Sequence, residues 1–248
     1  MSRPDALLDA VAAPALAGLM QMRAAVFADG ALSRRDKHLM SAAVHATKRD
    51  PAAVAEHLRA AREAGATDGQ LLEIFLPTLL SHGPRAWTVG VGVALDARLL
   101  AAPAVAPPAG DAAAPPADDA EAVLAYYRGD LGATPEWAAQ LSRVAPAYLA
   151  GYTRMRRDVL RDGHLPRKVK ELTIVAAHAA HRFAPGARFH ADGARRCGAT
   201  PQEIAETFLL AALAAGIPAW FEALPHLTPA VTDRPAPARR RKRKKVRR

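Results

Sequence analysis

Apolar residues in this chain recur at helical spacing, and no stretch alternates as a strand would. Leu71, Leu72, Ile74, Phe75, Leu79 and Leu80 make one broad apolar helix face. Thr67-Asp68-Gly69-Gln70 opens that helix as a capping box, and Thr200-Pro201-Gln202-Glu203 repeats the signal later. Ser33 predicts the N-cap of a helix running to about Thr47. A break at Asp50-Pro51 precedes a helix through Ala64, which Gly65 ends. Residues 4–28 read as one or two helices broken near Pro14. Asp118 or Asp119 can cap a helix holding Leu124, Tyr126 and Tyr127. Thr134-Pro135-Glu136 starts another, with proline at the first helical position. Helix then continues, with an interruption at Pro146, toward Asp162-Gly163. The fold class expected is all-α.

The pattern occurs twice. At an offset of 133, Leu165, Arg167, Lys170 and Leu172 match Leu32, Arg34, Lys37 and Leu39 without a gap. His178 matches His45, His190 matches His57, and Gly198-Ala199-Thr200 matches Gly65-Ala66-Thr67. Phe208, Gly216 and Trp220 match Phe75, Gly83 and Trp87, and upstream Arg156 and Asp162-Gly163 match Arg23 and Asp29-Gly30. This is an internal duplication. The expected organisation is a first, degenerate helical repeat over 1–100, a Pro/Ala-rich linker over 101–120, a second repeat over 121–228, and a basic tail over 229–248 without fixed structure.

Chemistry concentrates between His164 and Trp220. The stretch reads as a helical hairpin, interrupted at Ala184-Pro185-Gly186, and a third, capped helix. Glu171 opens the hairpin, and His178 lies seven residues on, near two full turns, so both project from nearly one face. His190 follows on the next helix. One acid and two imidazoles can then meet in a pocket suited to general acid–base chemistry. Glu171 is His38 in the first copy, so only one copy keeps the full set. The plainer alternatives are a first-turn acid at Glu171 and a packed, backbone-bonded histidine at His190. Arg167, and Arg34 in the first copy, could hold a substrate carboxylate through a bidentate pair or stand solvated at a helix start. His178 and His181 form a weak H-x-x-H signal; no metal is expected.

Composition adds limits. A single cysteine, Cys197, permits no internal disulfide and fits a reducing, cytoplasmic compartment. The net charge is +10, but nine positive charges lie within residues 239–248, so the basic balance describes a tail. That tail suits nonspecific attachment to nucleic acid or another polyanion. No segment reaches the roughly 20 apolar residues that span a bilayer.

The run Lys170-Glu171-Leu172, His178, His190, Gly198-Ala199-Thr200, Glu203-Ile204 and Gly216-Ile217-Pro218-Ala219-Trp220 resembles the carboxymuconolactone decarboxylase and AhpD-like alkylhydroperoxidase superfamily. The resemblance implies a duplicated AhpD-like helical unit and a homo-oligomer, a trimer of two-repeat chains. In the redox branch a glutamate precedes a C-x-x-C-x-x-x-H motif whose histidine lies nineteen residues after it, the spacing of Glu171 and His190. Phe183 and Gly186 occupy the two cysteine positions, and Asp50 and Ala53 occupy them in the first copy. The resemblance therefore implies the branch without the cysteine pair: a cofactor-free lyase working on a small carboxylated or lactone metabolite. Catalysis would fall to Glu171, His190 and His178, with Arg167 binding substrate. The alternative is a non-catalytic oligomeric scaffold with a polyanion-binding tail. A peroxidase using Cys197 alone is the third reading.

Overall fold

The computed structural model describes residues 3–100 and 119–222, and the duplication is visible helix by helix. The first half comprises α1 (Arg3–Val26), α2 (Arg34–Lys48), α3 (Pro51–Glu63), α4 (Asp68–Glu73), α5 (Leu76–His82) and α6 (Pro84–Asp96). The second comprises α7 (Ala120–Leu131), α8 (Glu136–Val144), α9 (Pro146–Leu160), α10 (Arg167–Ala180), α11 (Ala184–Arg196), α12 (Pro201–Ala215) and α13 (Pro218–Phe221). No strand occurs among the described residues, and the fold is an all-α duplicated unit. No described helix is long and apolar enough to cross a membrane. The expected basic tail, and all of the linker except Asp119 and Ala120, lie outside the described residues; Asp119 caps α7 and Ala120 begins it.

Local signals set most helix starts. Ser33, Thr67 and Thr200 accept the backbone N–H groups of Asp36, Gln70 and Glu203, and both capping boxes close. The kink in α1 lies at Ala12, whose φ/ψ of −154/63 nearly repeat those of Ala145 (−150/69), which separates α8 from α9. Several expectations need correction. The apolar helix after Thr67 is two helices, because Pro77 lacks the N–H that would bond Glu73 and its ring would crowd that carbonyl. Leu210 stands at the matching position, and α12 runs unbroken. Pro135 caps α8 and does not enter it. Ala184-Pro185-Gly186 begins α11, and the turn lies just before it, where Arg182 takes a left-handed φ of 60°. Glu171 is the fifth residue of α10 and does not open it.

Packing joins the halves. α2 and α10 lie against each other, and every residue from Val169 to Ala180 is buried. Alanine at 176, 177, 179 and 180 lets neighbouring backbones approach closely. Leu39, Met40 and Val44 share one core with Leu172, Val175 and Phe208. Two carboxylates reach reciprocally across it. Glu73 pairs with Lys170 Nζ at 2.6 Å and accepts the Leu165 N–H at 2.8 Å. Glu206 pairs with Lys37 Nζ at 3.0 Å and accepts the N–H groups of Ala31 and Leu32, each at 3.0 Å. Each lysine also donates to a carbonyl of its own half, Lys170 to Arg161 and Lys37 to Ala28. The α7–α8 hairpin packs on α9 through Val123, Tyr127 and Leu149.

Candidate active site

Helix α10 carries Glu171 and His178 on one face, and α11 brings His190 against them. His190 Nδ1 lies 2.7 Å from Glu171 Oε2, with both side chains buried. The rings of His178 and His190 are 5.6 Å apart. The three residues expected to meet therefore do so. Approach of α11 to α10 depends on Gly193, where a Cβ would come 2.8 Å from the Glu171 carboxylate.

Behind Glu171 stands a chain of charges. Arg167 grips Asp130 in a two-pronged pair, Nη1 to Oδ1 at 2.6 Å and Nη2 to Oδ2 at 2.9 Å, and reaches Glu171 Oε1 at 3.3 Å. Arg156, 1% exposed, donates to Asp130 Oδ2 at 2.8 Å and lies over the Phe189 ring. Arg167 thus stands behind the pair, bonded to Asp130 and Glu171, and is not among the cavity-lining residues.

The cavity in front holds about 330 Å³. His178, His190, Phe183 and Gly186 form one wall, Trp137 of α8 and Tyr152 of α9 face them, and Leu80 and Ser81 come from the first half. The two positions that carry cysteine in the redox branch are thus cavity wall here. His82 of α5 also crosses over, its ring 5.3 Å from His178 and 4.7 Å from His181. His181 pairs with Thr47 Oγ1 at 2.9 Å. Among the described residues no three His, Cys, Asp or Glu side chains gather closely enough to hold a metal. Cys197 caps α11 outside this cavity, and burial pushes its thiol pKa up.

Burial lowers the pKa of His190, and Arg156 and Arg167 add to this against the raising pull of Glu171. Burial raises that of Glu171, but the His190 hydrogen bond and the positive charges of Arg156 and Arg167 outweigh it and leave the carboxyl below its usual range. The pair at neutral pH is therefore a carboxylate and a neutral imidazole. A carboxylate only accepts, so His190 carries its proton on Nδ1 and leaves Nε2 as a free acceptor. His178 is held neutral, its pKa lowered to about 3 by burial and by the neighbouring His190, His82 and His181.

The first half builds a different pair. His38 Nδ1 lies 3.0 Å from His57 Nδ1, both buried, and Phe27 stacks on His38 at 4.2 Å. Burial lowers His57 to about 3 and His38 to about 4.

The sequence profile of the carboxymuconolactone decarboxylase family matches residues 13–103 and again 146–228. The chain belongs to the carboxymuconolactone decarboxylase family. Both matched stretches follow the two halves of the duplication and leave the α7–α8 hairpin, which supplies Asp130 and Trp137, outside. A Burkholderia xenovorans LB400 protein, provisionally described as a gamma-carboxymuconolactone decarboxylase subunit, superposes with a TM-score of 0.66 over 94% of this chain and 92% of that one. Its identity of 23% carries the shared fold alone. A comparison with curated proteins returns no match.

Sequence reasoning missed Asp130, Arg156, Trp137, Tyr152 and His82. Arg156 carried a signal, since Arg23 repeats it. Asp130 carried none, because it lies 41 residues before Glu171, outside the motif read in the second copy.

Proposed function

We propose that the second-half cavity is the active site of a decarboxylase-like carbon–carbon lyase acting on a small carboxylated or lactone metabolite. The observation that carries this reading is the buried Glu171–His190 pair, with Nε2 left free beside an aromatic-walled cavity. The substrate binds as its carboxylate, and His190 Nε2 takes up one proton from solvent water. The bond to that carboxylate breaks, CO₂ leaves, and the electron pair stays on the adjacent carbon. The imidazolium then gives its proton to that carbon, so the dyad ends as it began. Glu171 steadies the transient imidazolium, as a carboxylate behind a catalytic histidine does. Trp137, Tyr152, Phe183 and Phe189 surround the departing group with apolar surface. That surface disfavours a localised carboxylate more than a charge spreading toward a lactone carbonyl. His178, neutral, orients the substrate by a hydrogen bond, and Arg167 positions Glu171.

The test is His190→Ala, assayed for CO₂ release on a panel of carboxylated lactones. A loss of about 10²–10⁴-fold is expected, with helical circular dichroism unchanged. Turnover retained in that variant would sink the mechanism.

A further inference from the structure

The first-half cavity holds about 220 Å³ and is lined by Arg23, Ser41, His45 and His57, with apolar cover from both halves. At the offset of 133 these positions answer to Arg156, Ile174, His178 and His190. The two cavities are homologous in place and opposite in polarity.

Two differences between the halves carry this contrast. In the second half, Asp130 holds the arginine away from the cavity. In the first half Arg23 lines its cavity. The ion pair that Arg23 makes is with Glu56 on α3, and both side chains are well exposed, at 38% and 55%. An exposed pair of this kind is weak, so the guanidinium can be shared with an incoming anion. The second change is His38 in place of Glu171. A carboxylate can only accept from the histidine facing it, whereas His38 can donate. His38 Nε2 is buried without a partner. A bare acceptor there is easier to tolerate than an orphaned N–H, which puts the shared proton on His38 Nδ1. His57 then accepts at Nδ1 and carries its own proton on Nε2. A donor stands where the other cavity has a base.

We propose that the first-half cavity binds a small organic monocarboxylate. Arg23 takes the carboxylate, and the His57 Nε2–H and the Ser41 hydroxyl donate to it. Leu19 and Phe27, with Leu210 and Leu213 of the other half, cover the apolar body. Two carboxylates stand near the mouth. Glu56 is held by Arg23, and Asp50 caps α3 through the Ala53 N–H while lying 3.3 Å from His45 Nδ1. This site does not depend on the lyase reading.

The experiment titrates the full chain with butyrate and benzoate, and with the matched neutral amides, following the His57 and His45 ring signals by NMR. Saturable shifts are expected with the acids and not with the amides. Arg23→Met should weaken binding tenfold or more. Ser41→Ile, which installs the bulk present at Ile174, should do the same if the arginine variant fails to fold. The double change Glu171→Gln with His190→Ala should leave the affinity as it is, which separates this site from the proposed active site. Absence of saturable shifts, equal binding of the amides, or affinity lost only in the double variant would each overturn the proposal.

Discussion

Position 171 and its counterpart 38 decide what each half can do, because a carboxylate only accepts protons and an imidazole can give one. The consequence spreads to the residue each side chain faces. Gly193 leaves room for the Glu171 carboxylate, whereas the matching position in the first half is Ala60. Gly193→Ala places a methyl 2.8 Å from a carboxylate that is 1% exposed and cannot swing into solvent. The expected result is a tenfold or larger fall in kcat with a displaced His190 ring signal, even though alanine favours the helix by up to ~1 kcal/mol. Unchanged kinetics would mean that Glu171 has another place to go. Glu171 and His190 were legible in the sequence because they lie on adjacent helices and keep the nineteen-residue spacing of the family the sequence resembles. Asp130 was not, because it lies 41 residues before Glu171 and acts through Arg156 and Arg167.

Among the helices, the reciprocal carboxylates matter most. Lys170 is fully buried, and Glu73 is the carboxylate that neutralises it. Removing one partner of a buried pair leaves an uncompensated charge, so Glu73→Ala should cost about 3–5 kcal/mol in urea unfolding. Adding Lys170→Met should recover most of that loss, since a buried pair replaced by apolar groups is often near neutral. Failure of the second change to restore stability would assign the effect to the Leu165 N–H that Glu73 also accepts. Glu206→Ala should cost less, because that carboxylate keeps 12% exposure and Lys37 can reach water more readily than Lys170. The capping boxes named these helix starts in advance. The crossing of Glu73 and Glu206 could not be read, because it depends on which helices face each other.

Across the whole molecule, the two halves share one core and one set of buried neutral imidazoles. His38 and His82 have pKa values lowered to about 4, and His57 and His178 to about 3, in each case chiefly by burial. In the unfolded chain these rings take up protons near pH 6.5, whereas the native protein resists until pH 3–4. Stability is therefore complete above about pH 6.5 and falls as pH drops toward 4. Calorimetry should show a lower Tm at pH 5 than at pH 7. Equal values would show that the native rings already bind protons. The acid loss should be steeper than in a helical protein of this size without buried histidines.

The sequence by itself determined the all-α class, the duplication, most helix starts and the meeting of Glu171, His178 and His190. Each of these rests on spacing within one or two helices, where chain geometry fixes position. Tertiary structure decided that the halves merge into one core and that Arg167 serves Asp130 and Glu171. It also decided that each cavity takes apolar walls from the opposite half. Those outcomes depend on which buried faces pair across a hundred or more residues, and no local pattern records that choice.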